Sequence, residues 1–126
     1  MLTVTGLNIY MTRGDSARIQ AIPKVKTDDG EGGTIRIPYE LEEGDVIFFR
    51  LKRKAEDSVE VMCEKQCDID LENNKAVLKL EPEDTQNCEF KEYRYEFELV
   101  THDDFHSTFV ENKPFTIGKE LERHGE

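Results

Sequence analysis

The chain has 126 residues, 37% of them hydrophobic, and a net charge of −11 from 17 basic and 28 acidic side chains. That length fits one domain, able to bury roughly two thirds of its unfolded surface without disulfides or metal. The acidity disfavours a general nucleic-acid binder and docking on an anionic membrane, since both need a basic face.

In chain order, residues 2–12 read as an opening strand with Leu7, Ile9 and Met11 on one face. Arg13-Gly14-Asp15-Ser16 reads as a turn. It spells an integrin-type tripeptide, but a Gly-Asp turn between strands accounts for it by backbone chemistry alone. The next strand covers 17–25, where Ala17, Ile19 and Ala21 alternate with Arg18 and Gln20. Pro23 implies an edge or a bend, because proline donates nothing to a ladder.

Residues 26–33, KTDDGEGG, read as a polar glycine-rich loop. Ile35, Ile37, Tyr39 and Leu41 then alternate with Arg36, Pro38 and Glu40, which suits a short edge segment. Glu43-Gly44-Asp45 is a second Gly-Asp turn. The strand at 46–53 follows, with Ile47, Phe49 and Leu51 inward and Phe48, Arg50 and Lys52 outward.

Val59, Val61 and Cys63 alternate, a bend falls at 64–67, and Ile69 and Leu71 resume the pattern. Asn73-Asn74 suits a tight turn, since Asn tolerates positive φ. The strictest alternation in the chain comes next. Ala76, Leu78 and Leu80 share one face with Lys79 opposed, and after an acidic corner Tyr93, Tyr95, Phe97 and Leu99 oppose Arg94, Glu96 and Glu98. Strict period-two alternation means one wet face and one buried face. The corner at 82–87 is the sole helix candidate, a single turn with Pro82 early and Glu83 and Asp84 at its N-terminus. A hairpin turn at 102–104 leads to closing strands at 107–110 and 115–117. The polar tail after Gly118 is expected to fray.

Short strands punctuated by turns about every ten residues indicate a sandwich rather than βαβ units. The reading is an all-β, Ig-like antiparallel β-sandwich of about eight strands, one domain over 1–118 with a polar C-terminal tail at 119–126.

Chemistry is sparsely marked. The acidic pairs Asp28-Asp29, Glu42-Glu43 and Asp103-Asp104 sit in turns and lack the ligand spacing of a calcium loop. Cys63 and Cys67 are four apart, as are His102 and His106, which permits a Cys2His2 zinc site on paper. Structural thiols and solvated imidazoles are the simpler reading. Three cysteines do not make a disulfide framework. The N-terminus lacks a secretory pattern and no run is long enough to span a bilayer, so synthesis in a reducing bacterial cytoplasm is expected. GxSxG, GxGxxG and P-loop patterns are absent. No catalytic, metal-binding or cofactor-binding residue is assigned, and no cofactor is implied.

Several stretches together resemble a known group. They are Arg13-Gly14-Asp15-Ser16, the run 39–50 (YELEEGDVIFFR), the run 78–85 (LKLEPEDT), Tyr93-Arg94-Tyr95-Glu96 and the run 115–120 (FTIGKE). Their order and spacing resemble small prophage-encoded structural proteins of Gram-positive bacteria and the N-terminal Ig-like domain of phage baseplate upper proteins. Cys88 and Lys91 depart from that pattern, where a small apolar residue and a glycine are expected. The resemblance implies a non-enzymatic structural or interaction module of a phage tail or baseplate, located in the virion. Its partners would be other phage structural proteins or further copies of itself in a homo-oligomer, without nucleic acid or membrane.

Asp84, Thr85, Tyr93 and Tyr95 are expected to build a structural corner like the E–F corner of immunoglobulin sandwiches. Phe48 and Phe109 are the expected interaction surface, because an open sheet edge with outward apolar residues invites a partner. The alternative is a bacterial carbohydrate-binding or surface-adhesion module using Tyr10, Tyr39 or Phe48, a reading weakened by the lack of tryptophan.

Overall fold

The period-two segments become strands in two packed sheets. The protein is described from a computed structural model covering residues 2–5, 7–53, 61–89 and 91–118, with side chains from Leu7 onward. Eleven strands lie within the described residues: β1 (Leu2–Thr5), β2 (Asn8–Thr12), β3 (Ala17–Ala21), β4 (Lys24–Asp28), β5 (Thr34–Pro38), β6 (Val46–Lys52), β7 (Val61–Gln66), β8 (Asp68–Asp70), β9 (Lys75–Leu80), β10 (Lys91–Val100) and β11 (His106–Gly118). One helical turn, α1 (Pro82–Thr85), lies between β9 and β10.

A six-stranded sheet runs β1-β2-β11-β10-β6-β7, and a three-stranded sheet runs β3-β9-β8. The order β3-β9-β8 facing β11-β10-β6-β7 is the B-E-D and G-F-C-C′ arrangement of an Ig-like sandwich. Beside it stands a separate two-stranded hairpin, β4-β5.

The core follows the alternation. Ile47, Phe49 and Leu51 of β6, Tyr93, Tyr95, Phe97 and Leu99 of β10, and Phe115 and Ile117 of β11 are all buried. Ala17, Ile19 and Ala21 of β3 and Ala76, Leu78 and Leu80 of β9 face them from the smaller sheet. Aromatic rings lock the centre: Phe49 lies 5.4 Å from Phe97 and 6.0 Å from Tyr95, and Phe97 stacks on Phe109 at 5.9 Å. Pairs at such distances add about 0.5–1.5 kcal/mol each beyond area burial.

Several expectations change. Eleven strands replace about eight. One expected opening strand is two, β1 and β2, paired antiparallel, and β4 is a strand separate from β3. β2 also runs parallel to β11, so the larger sheet is mixed rather than purely antiparallel. The strand expected at 17–25 stops at Ala21. Pro23 is fully buried at the break, and its carbonyl accepts from Tyr39 N at 3.0 Å. The front of the expected loop at 26–33 is strand, because Lys26 and Thr27 pair with Arg36 and Ile35. The two closing strands are one continuous β11, with a register break opposite Tyr95–Glu98 and Asn112 at φ 54°. Alternation is interrupted there without the strand ending, as in a bulge. Val59 and the tail at 119–126 lie outside the described residues.

Candidate interaction surface

The turn between β9 and β10 is densely tied. α1 is capped by Asp84, whose Oδ2 accepts from Glu81 N at 2.7 Å and from Lys65 Nζ at 2.8 Å. Thr85 is 1% exposed, and its Oγ1 accepts from Gly14 N at 2.9 Å. The Arg13-Gly14-Asp15 turn is thereby stitched to the corner, with Gly14 at φ 82° and Arg13 Nη1 3.4 Å from the Cys88 carbonyl. The Tyr93 hydroxyl accepts from Glu89 N at 2.8 Å and donates to Glu89 O at 3.2 Å. That four-residue tie is the tyrosine-corner bond of Ig-like sandwiches. Tyr95 does a different job: its hydroxyl donates to Leu7 O at 2.6 Å, fixing the loop between β1 and β2. All four residues are architectural.

At the opposite end of β6 a buried carboxylate organises the loops. Asp45 Oδ2 accepts from Glu42 N at 2.8 Å. Its Oδ1 accepts from His102 N at 2.8 Å and lies 3.0 Å from His102 Nδ1. Burial pushes the Asp45 carboxyl up. The hydrogen bonds from Glu42, His102 and Tyr39 outweigh that and hold it below the usual range. His102 is raised in turn, first by its bond to Asp45 and then by Glu42. Burial, and then Asp45, push the Tyr39 hydroxyl up to about 12.

This brace presents the β10–β11 turn. Thr101 N donates to Phe105 O at 2.9 Å, Asp104 N to Thr101 O at 2.8 Å, and Phe105 N to Thr101 Oγ1 at 3.0 Å. The Thr101 hydroxyl also bonds Asp103. Asp104 sits at φ 67°, a conformation that Asp tolerates better than most residues. The result is a fixed turn whose Phe105 ring is 55% exposed.

The β4-β5 hairpin faces that ring. Every residue of β5 is exposed, with Ile35 at 48% and Ile37 at 40%. Val25 pairs with Ile37 and Thr27 with Ile35, so these four share one face. Val25, Thr27, Ile37 and Tyr39 on one side and Thr101, His102, Asp103 and Phe105 on the other enclose an open cleft of about 490 Å³, with Glu42 at its edge. Tyr39 N to Pro23 O, Ser107 Oγ to Lys24 O, and the pairing of Arg36 and Lys26 with Glu111 anchor the hairpin.

The expected surface residues fall elsewhere. Phe109 is 4% exposed and stacked on Phe97, so it belongs to the core. Its place in β11 puts it on the inward face, which the bulge had hidden from the alternation. Phe48 does face outward, but it is half-buried beneath the Arg50 guanidinium at 5.6 Å. Arg50 bonds Glu64 at 2.6 Å and Glu96 and Glu98 at 3.0 Å each. Burial opposes its charge, but those carboxylates prevail and raise its pKa. Phe105 was missed because it lies in a run of turn residues. The signal that marks it is an aromatic where turn chemistry favours small polar residues.

Cys63, Cys67 and Cys88 are free thiols. Burial pushes Cys63 up to about 11 and Cys67 up to about 12, which keeps them protonated and unreactive at neutral pH. Among the described residues no three His, Cys, Asp or Glu side chains gather as a metal site, and no helix is long and apolar enough to cross a membrane.

No protein-family model matches the chain, and no curated protein matches it.

Proposed function

We propose that the chain is a non-enzymatic structural module of a phage tail or baseplate, encoded in a bacterial prophage, which docks to further copies of itself in a ring or trimer. The observation that carries this reading is the braced turn holding Phe105 at 55% exposure across the cleft from Val25 and Ile37 of the hairpin. A rigid, exposed aromatic beside uncovered aliphatic residues is the form of an interface anchor, since little ordering entropy is lost on burial. The resemblance of the Glu-Gly-Asp turn, the Pro-Glu-Asp-Thr corner and the Tyr93–Tyr95 strand to baseplate Ig-like domains supplies the setting. The test is to induce the prophage in a host carrying a tagged copy and purify the released particles. The protein should co-purify with tails at fixed stoichiometry. Its absence from particles, while abundant in the lysate, would end the tail assignment.

A carbohydrate-binding module is the second reading, and one feature favours it. The cleft sets Tyr39 and Phe105 near Glu42 and Asp103, an aromatic surface with hydrogen-bonding carboxylates. Titration with soluble cell-wall polysaccharide, read by shifts of the Phe105 and Tyr39 rings, separates the two.

A further inference from the structure

A second surface lies on the far side of the hairpin. The two sheets differ in width: six strands at roughly 4.8 Å spacing against three. β3 ends the smaller sheet and, among the described residues, pairs only with β9. β1 and β2 belong to the larger sheet, so among the described residues no strand lies outside β3. Along that edge runs a crevice of about 320 Å³ between the sheets. Its floor is the buried core: Ile9, Ile19, Ala21, Phe97 and Phe109. Its rim is exposed, with Leu7 at 48% and Ile22 at 53%.

We propose that the β3 edge and this crevice accept an extended strand of a partner protein that alternates aliphatic with acidic residues. A strand laid beside β3 extends the smaller sheet, bonds the backbone groups along its outer edge, and points alternate side chains inward. The crevice holds about ten water-sized groups, enough for about two aliphatic side chains at alternate positions. The other side chains of the incoming strand lie beside Arg18 on the outward face of β3.

The local charge selects their sign. Lys24 and Arg36 line the crevice, and Lys26 pairs across the hairpin with Arg36. Against these cations stands Glu111, which Lys26 and Arg36 share. The edge is thus a basic strip on a chain of net charge −11. An acidic strand is favoured there, and a second copy would have to bring its own negative surface only at this strip.

The probe is a blocked seven-residue peptide of alternating Glu and Val, titrated into the full chain at low salt and followed by amide NMR. Saturable shifts along 17–21, with slowed amide exchange there, are expected. Replacing the central Val by Pro should abolish binding, and replacing Glu by Lys should weaken it about five- to tenfold. Arg18→Glu, a change at an exposed site, should narrow the preference between the two peptides. The proposal is overturned if no shifts appear at millimolar peptide, or if they map to the β5 or β7 edge. An unaltered preference in Arg18→Glu also overturns it. So do concentration-dependent shifts along β3 without peptide, which would make a second copy the occupant.

Discussion

Phe97 and Glu98 are sequence neighbours with opposite surroundings. Phe97 is 2% exposed and touches Phe49, Tyr95 and Phe109. Phe97→Ala should cost about 3–5 kcal/mol in denaturant melts, through lost transfer energy and a cavity. Glu98 faces out, yet it accepts from Arg50 at 3.0 Å and lies 3.1 Å from His106 Nδ1. Glu98→Ala should therefore cost about 1 kcal/mol rather than nothing. The two melts rank the residues, and the reverse ranking contradicts the facing of β10. Tyr93→Phe removes only the hydroxyl that ties back to Glu89. It should cost about 1 kcal/mol with the fold intact, and a silent change means the corner is not held by that bond.

The Asp45–His102 brace gives the β6 and β10 ends a pH signature. His102 is raised above 6.5, and so is His106, chiefly by Glu98 and then by Asp104. A raised histidine lends stability that is complete below about pH 6.5 and fades as pH climbs through the raised value. Asp45 is lowered from 3.8, so its contribution is complete above that and lost as pH falls through the depressed value. Stability should therefore peak in mildly acidic solution, about pH 5–6, and decline toward pH 8. Thermal melts across that range check it. His102→Gln with His106→Gln should flatten the decline, and an unflattened curve would place its origin elsewhere.

Elements whose side chains alternate against a core were legible in the sequence: β6, β9 and β10 were located with their buried faces, and the Pro82 turn with them. Positions decided by tertiary context were less so. The continuity of β11 through its bulge, the split between β3 and β4 at Pro23, and the hairpin formed by a polar strand each depend on partners distant in the chain. The site suffered the same way. Phe48 faced outward as the alternation implies, but the Arg50 network covers it, whereas Phe105 carries no periodicity because it belongs to a turn.

At the scale of the whole molecule, a charge of −11 opposes contact between copies, while Phe105, Ile35 and Ile37 favour it. Salt screens the first over about 8–10 Å and leaves the second intact. Association should therefore strengthen as salt rises, the reverse of a contact held by ion pairs. The measurement that bears most directly on the proposed self-assembly is light scattering of the purified chain over protein concentration and salt, beside Phe105→Asp. That substitution falls at an exposed position and leaves the core untouched. A mass that grows with concentration and salt in the wild type and stays at the monomer in Phe105→Asp is the predicted result. A strict monomer at high concentration and high salt, or an oligomer indifferent to the substitution, would contradict self-assembly through this surface.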